Sequence, residues 1–248
     1  MKRRVRWCVI VLPVLFLSAC AVATPASRLE SYVGSSVTRP AGSSEACRQR
    51  DVGLMVIHDT AAQGTVAPFS QEGLQHLSER IKVRVEQSLP VKIVKVAAPR
   101  SLAGQSEWFS WQQTAREQDV DVLLLVVLSL VEAKSQDRLP LDGSQDGGGA
   151  MGMLVGSTTS DYALVEMGLL DAKADLVLAR AEGRGVATLE QLDSGLTSNA
   201  YPVIRQPGRA QRYFPPRGEG NAQGMTALIA VDDALEQALY RLKSCSNQ

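Results

Sequence analysis

The chain has 248 residues, with 26 Lys and Arg against 26 Asp and Glu and a formal net charge of zero. That balance argues against nucleic acid as a partner. The length suits one domain with a sizeable core.

At the start, Lys2, Arg3, Arg4 and Arg6 precede an apolar run from Trp7 to Leu17. The run is well short of the roughly 20 residues of a spanning helix and contains Pro13, which also weakens one. It has the length and flanks of a signal-peptide core. Ser18, Ala19 and Cys20 follow.

Leu17-Ser18-Ala19-Cys20 resembles the lipobox of bacterial lipoproteins. That resemblance implies cleavage before Cys20, a signal peptide of residues 1–19, and acylation of Cys20 with palmitate-type chains. Several acyl chains would hold the protein stably on a membrane. Ala21 follows rather than an aspartate, which implies sorting to the outer membrane, on its periplasmic face. An ordinary secretory signal, cut near Ala19 or near Ala21-Val22-Ala23, is the alternative. No second apolar run reaches 18 residues. Four of the 26 basic side chains lie in the signal, which leaves 22 against 26 acidic ones in the mature chain.

Residues 20–46 are rich in Ser, Ala, Gly and Pro without sustained apolar period, and read as a lipidated, flexible tether. Residues 47–248 then form a single periplasmic domain. Cys47 and Cys245 are the pair left over once Cys8 and Cys20 are assigned to the signal and the lipid. In an oxidising compartment they form a candidate disulfide pinning the last helix to the domain's entry; two free thiols are the alternative.

The first strand is the apolar run beginning at Asp51 and ending near Thr60. A helix follows, with Ser70 as N-cap and Leu74, Leu77, Ile81, Val85 and Leu89 on one face, ended by Pro90. Residues 91–96 read as a strand near a sheet edge. Residues 106–118 form a modest helix in which Trp108, Phe109 and Trp111 are core aromatics. Residues 120–130, almost wholly apolar, suit a strand buried on both faces. A Gly- and Ser-rich loop or hairpin extension comes next, over 134–161. Tyr162–Leu170 and Leu176–Gly183 are two strands around a polar turn at Asp171–Asp175. Residues 193–223 wander. The last segment is an amphipathic helix with Ala227, Leu228, Val231, Leu235, Ala238, Leu239 and Leu242 on its apolar face. The order predicts one α/β (α+β) sandwich, a mixed sheet with helices.

The chain contains neither GxSxG nor HExxH, no CxxC, and only two histidines, His58 and His76. No cofactor, metal site or catalytic set is read from it. His58, at a strand end beside Asp59, is the best-placed acid or base if there is an envelope enzyme here. Glu166 is expected to face solvent, Asp171 to shape its turn, and Gly147-Gly148-Gly149 to be loop. Arg205, Arg209, Arg212 and Arg217 surround Tyr213 and Phe214, a basic aromatic loop suited to a partner or anionic lipid.

An apolar strand, a Gly-rich loop and the hairpin around "LLDAKADLVLA" are similar to the curli-secretion (CsgG-like) lipoproteins and the TolB N-terminal domain, with Ala174-Asp175 where those have Thr-Gly. With the lipobox, "YALVEMGLLD", "VLARAEG" and "RYFPP" before an Ala- and Leu-rich helix, the layout resembles the rhombotarget lipoprotein family of Gram-negative bacteria. That resemblance implies association with a rhomboid-type protease (rhombosortase) system and supplies no established activity. The sequence shows no C-terminal Gly-Gly motif with a hydrophobic tail, the usual recognition signal of that system's targets. The expected function is therefore a tethered, non-catalytic binding or scaffolding domain, with an envelope protein as unknown partner. A homo-oligomeric assembly component using segment 143–160 is the alternative.

Overall fold

The computed structural model describes residues 24–34, 51–61, 69–103, 109–140, 153–193, 200–215 and 219–246. Eight strands make one mixed open sheet with helices on both faces, a single α/β domain, as the order of elements predicts. The strands are β1 (Asp51–Asp59), β2 (Lys92–Val96), β3 (Arg100–Leu102), β4 (Val122–Pro140), β5 (Met153–Asp171), β6 (Leu176–Leu192), β7 (Val203–Arg205) and β8 (Arg212–Tyr213). The helices are α1 (Leu29–Val33), α2 (Gln71–Ser88), α3 (Trp111–Glu117) and α4 (Glu219–Ser246).

Strand order is β2-β1-β4-β5-β6-β7-β8, with β3 beside β1 where β2 ends. β1 is parallel to β2, β3 and β4; every later pairing is antiparallel. The parallel half needs crossover helices, which α2 and α3 supply. The antiparallel half is a long meander. β4 and β5 pair along 19 residues each, about 60 Å at the rise of a strand.

Residues 134–140 and 153–160, expected as a Gly- and Ser-rich loop or a hairpin extension, are the extension: they lengthen the β4–β5 hairpin. Leu154 stands opposite Leu139 there, so each gains a cross-strand partner that local composition does not reveal. β2 does lie at the sheet edge.

Side-chain alternation sorts the core into two layers. On one face, Val52, Leu54 and Val56 of β1, the even residues 122–130 of β4 and Ala163, Val165, Met167 and Leu169 of β5 meet α2 and α4. On the other, Met55, Ile57, Leu123, Leu125, Val127, Leu170 and Val177 meet α1 and α3. Both sides of β4 are thus buried, which is why its sequence is unbroken by polar residues up to Ser129.

The helices form where their caps and periods dictate. Ser70 Oγ accepts from Gly73 N at 3.0 Å, and Leu74, Leu77, Ile81 and Val85 are buried. Ser110 caps α3 by accepting from Gln113 N, and Trp111 is buried while Phe109 packs at the margin. Trp108 lies outside the described residues.

On α4 the buried stripe includes Ala230, Ala234 and Ala238, four residues apart. Opposite them on β6 stand Gly183 and Gly185. A Cβ at Gly183 would lie 1.9 Å from Ala234 O, and one at Gly185 2.0 Å from Ala230 O. Small residues on both partners let the helix backbone rest directly on the strand.

The β5–β6 turn is built as its composition suggests. Asp171 Oδ1 accepts from Lys173 N at 3.0 Å and Ala174 N at 2.9 Å, and Asp175 takes φ +54°, a left-handed position Asp tolerates.

Candidate functional site

Part of the segment expected to be a free tether is instead bound to the sheet. Residues 24–34 lie against the α1/α3 face, with Pro25, Leu29, Tyr32 and Val33 buried. Glu166, expected at the surface, is 3% exposed and holds that segment. Its Oε1 accepts from Ser27 Oγ at 2.5 Å, and its Oε2 accepts from Arg28 N at 2.6 Å and Leu29 N at 3.1 Å. Those N–H groups open α1, where a carboxylate is favoured both as acceptor and by the helix dipole. Tyr32 Oη donates to Asp59 Oδ2 at 2.8 Å, and its ring meets Phe109 edge-on at 5.7 Å. Burial, then the Asp59 hydrogen bond, raise the Tyr32 pKa. Arg180 Nη1 donates to Glu30 at 3.0 Å. The expectation of a flexible tether fails over 24–34 because four apolar side chains and a buried carboxylate outweigh its Ser- and Pro-rich composition.

Strand alternation separates His58 from Asp59. His58 faces the α2/α4 layer, 0% exposed, 5.4 Å from the Phe69 ring, and neither ring nitrogen has a partner among the described residues. Burial lowers its pKa, favouring the neutral imidazole. Asp59 points to the opposite side, toward Tyr32 and Ala61 N. The two neighbours in sequence do not form a dyad.

A second buried acid was invisible in sequence. Asp161, 1% exposed, lies on the α2/α4 side of β5 opposite Glu132 of β4. Its Oδ1 has no partner among the described residues. Burial, reinforced by the Glu132 charge and opposed by Lys134, pushes its pKa up to about 7. Lys134 Nζ sits 2.9 Å from Glu132.

A groove of about 490 Å³ runs along the outer side of α4. The end of α2 forms one wall through Arg84, Gln87 and Ser88; the loop after β7 forms another through Gln206 and Arg209, with Tyr213 of β8. Ile229, Leu235, Leu239 and Tyr240 give apolar lining, and Asp232, Asp233, Glu236 and Lys243 give charge. Tyr240 is 76% exposed.

The basic aromatic loop thus contributes only part of its side chains to the groove. Arg205 Nε donates to both carboxylate oxygens of Glu190 at 2.9 Å, a cross-strand pair between β7 and β6. Arg209 Nη2 donates to Asp233 at 2.8 Å and lies 3.6 Å from Glu236. These two cations tie the loop to the domain. Arg212 is exposed on β8 and Phe214 is 59% exposed beyond it. Cys20, Cys47, Arg217 and Gly147-Gly148-Gly149 lie outside the described residues, as does the side chain of Cys245, which falls in the last turn of α4.

Among the described residues no His, Cys, Asp and Glu cluster is placed to hold a metal ion, and no helix is long and apolar enough to cross a membrane.

No protein-family model matches the chain, and no curated protein matches it in sequence. Among solved structures, a neuraminyllactose-binding hemagglutinin homolog from Helicobacter pylori is similar, at 6% identity over 81% of this chain and 94% of that one, with a TM-score of 0.35. The protein CT253 of Chlamydia trachomatis is 14% identical over 79% of this chain and 98% of that one, with a TM-score of 0.33. Lipoprotein GNA1162 of Neisseria meningitidis is 10% identical over 60% of this chain and 88% of that one, with a TM-score of 0.26. The chain is thus distantly similar in structure to bacterial proteins that include a lipoprotein, and so remote a likeness bears on nothing finer.

Proposed function

We propose that the protein is an envelope lipoprotein, acylated at Cys20, held on the periplasmic face of the outer membrane, whose domain binds a protein partner in the α4 groove and performs no catalysis. The observation that carries the reading is the groove itself. It combines an exposed tyrosine, apolar lining and charges of both signs on rigid helices, the mixture that suits a protein segment. His58, the acid or base expected at a strand end, is sealed in the core with Asp59 turned away. The lipobox supports the anchor, and the motif likeness to rhombotarget lipoproteins supports a partner in a rhomboid-type protease system.

A photo-crosslinking residue at Tyr240, used in intact cells, tests the binding reading. It is expected to capture one protein that the same residue at Gln112 on α3 does not, with capture lost in Arg84→Glu. Identical products from both positions would discard the groove. A Cys20→Ser chain is expected to leave the membrane fraction, and a His58→Ala chain to retain function.

An oligomeric assembly is the second reading. Met153 and Val155 are about half exposed, at 52% and 53%, on the far end of β5, an apolar pair that a second copy would cover. The mass of the delipidated domain in solution decides it.

A further inference from the structure

We infer that residues 24–34 act as a short strap that lays the α1 face of the domain against the lipid surface, turning the α4 groove away from it. This rests on acylation at Cys20.

The strap is fixed at both ends. At its start, the Glu166 carboxylate takes hydrogen bonds from Ser27 Oγ, Arg28 N and Leu29 N. At its end, Tyr32 reaches Asp59, and Arg180 of β6 reaches Glu30 between them. Leu29, Tyr32 and Val33 are buried in the same layer as Met55, Ile57 and Trp111. Each contact joins the strap to a different part of the sheet, β5, β1 and β6, so the segment has one seat rather than a sliding contact.

The seat limits the reach of the anchor. Thr24, exposed, is the first described residue, and Cys20 lies four residues before it. Four extended residues span at most about 14 Å. A free chain over the 31 residues from Cys20 to Asp51 would average about 30 Å and leave the domain free to rotate. With the strap seated, the bilayer surface must lie within about 14 Å of Thr24. The groove lies on α4, across the sheet from α1, because α1 packs with the odd-numbered β4 residues and α4 with the even-numbered ones. The occupant of the α1 face is therefore the lipid surface, and a protein partner approaches from the aqueous side.

Neutron reflectometry of the full lipidated protein on a supported bilayer reads this directly. The protein layer is expected to begin within about 14 Å of the headgroups. Inserting 15 Gly and Ser residues between Ala23 and Thr24 is expected to move it outward by about 20 Å while leaving the strap seated. Glu166→Gln is expected to raise amide hydrogen exchange over residues 28–33 by at least about 10-fold, because Arg28 N and Leu29 N lose a charged acceptor and the short helix they open loosens with them. A wild-type layer as distant as that of the insertion variant, in a sample whose mass shows acyl chains at Cys20, overturns the strap. Fast exchange over 28–33 in the wild type overturns it independently of any lipid. A sample without acyl mass at Cys20 overturns the parent reading and the membrane proposal with it.

Discussion

The two faces of the sheet are closed by different physics. Under α2 and α4 the contact is long and apolar: α2 packs through Leu74, Leu77, Ile81 and Val85, and the α4 backbone is seated on Gly183 and Gly185. Under α1 and α3 the helices are short, five and seven residues. Isolated helices of that length do not hold together in water. They persist because caps and buried carboxylates supply what length cannot: Glu166 and Asp59 on the strap, Ser110 on α3. Dry packing makes a permanent layer, whereas a polar clamp makes one that a single charge change can open.

Breaking the dry face has the largest expected effect. Gly183→Val places side-chain atoms in the Ala234 and Ala238 backbone, and a cost above about 3 kcal/mol is expected in urea unfolding, enough to lose the fold in a domain of ordinary stability. Gly208→Ala, in an open loop, is the control; with φ +76° it too carries some strain, though far less.

Asp161 sharpens the comparison, because it is a buried carboxyl without the compensation that Glu166 and Asp59 enjoy. Its native pKa of about 7 lies above the value of 3.8 for the unfolded chain. Between those limits the native state binds more protons, so stability falls as pH rises from about 4 to about 7 and the loss is complete above. Asp161→Asn removes this dependence. A gain of about 2–4 kcal/mol is expected at pH 8, fading below pH 4, as read from thermal unfolding across pH.

Opening the polar clamp is expected to cost about 1–3 kcal/mol, because Glu166→Gln trades a charged acceptor for a neutral one against three donors. The loss should be local: exchange rises in α1 while α2 and α4 stay protected. Equal loosening of both faces would dissolve the distinction between them. The smallest effect belongs to Ser70→Ala, which removes the α2 cap and is expected to cost about 1 kcal/mol.

His58 bears on the same contrast. Burial lowers its native pKa below the 6.5 of the unfolded chain, so its contribution is intact above about pH 6.5 and declines as pH falls from there toward the native value. Acid destabilisation in that window should shrink in His58→Phe.

Most of the fold was legible because its signals are local. The β4 run, the α2 face beside Ser70, the Asp171 turn and the α4 period each depend on neighbours within a few residues, and each stands where its pattern predicts. What escaped depends on distant partners. Residues 153–160 read as loop or hairpin extension alike until Leu139 stands across from Leu154. Glu166 looks like a solvent residue until Ser27 arrives from 139 positions away. Ala230 and Ala234 look neutral until Gly183 and Gly185 lie beneath them. Of the candidate site, Arg209 and Tyr213 were visible as a basic aromatic loop, whereas the α2 wall and the neutralising Asp233 were not.

By itself the amino-acid order determined the class of fold and the order of the five main strands and three of the helices, because periodicity and capping act over one or two turns of chain. Only the tertiary structure decided which charges are spent inside the molecule, where a groove lies along α4, and that residues 24–34 are seated rather than free. Those outcomes turn on desolvation and on partners far apart in sequence, and a carboxylate written in a one-letter code carries no mark of either.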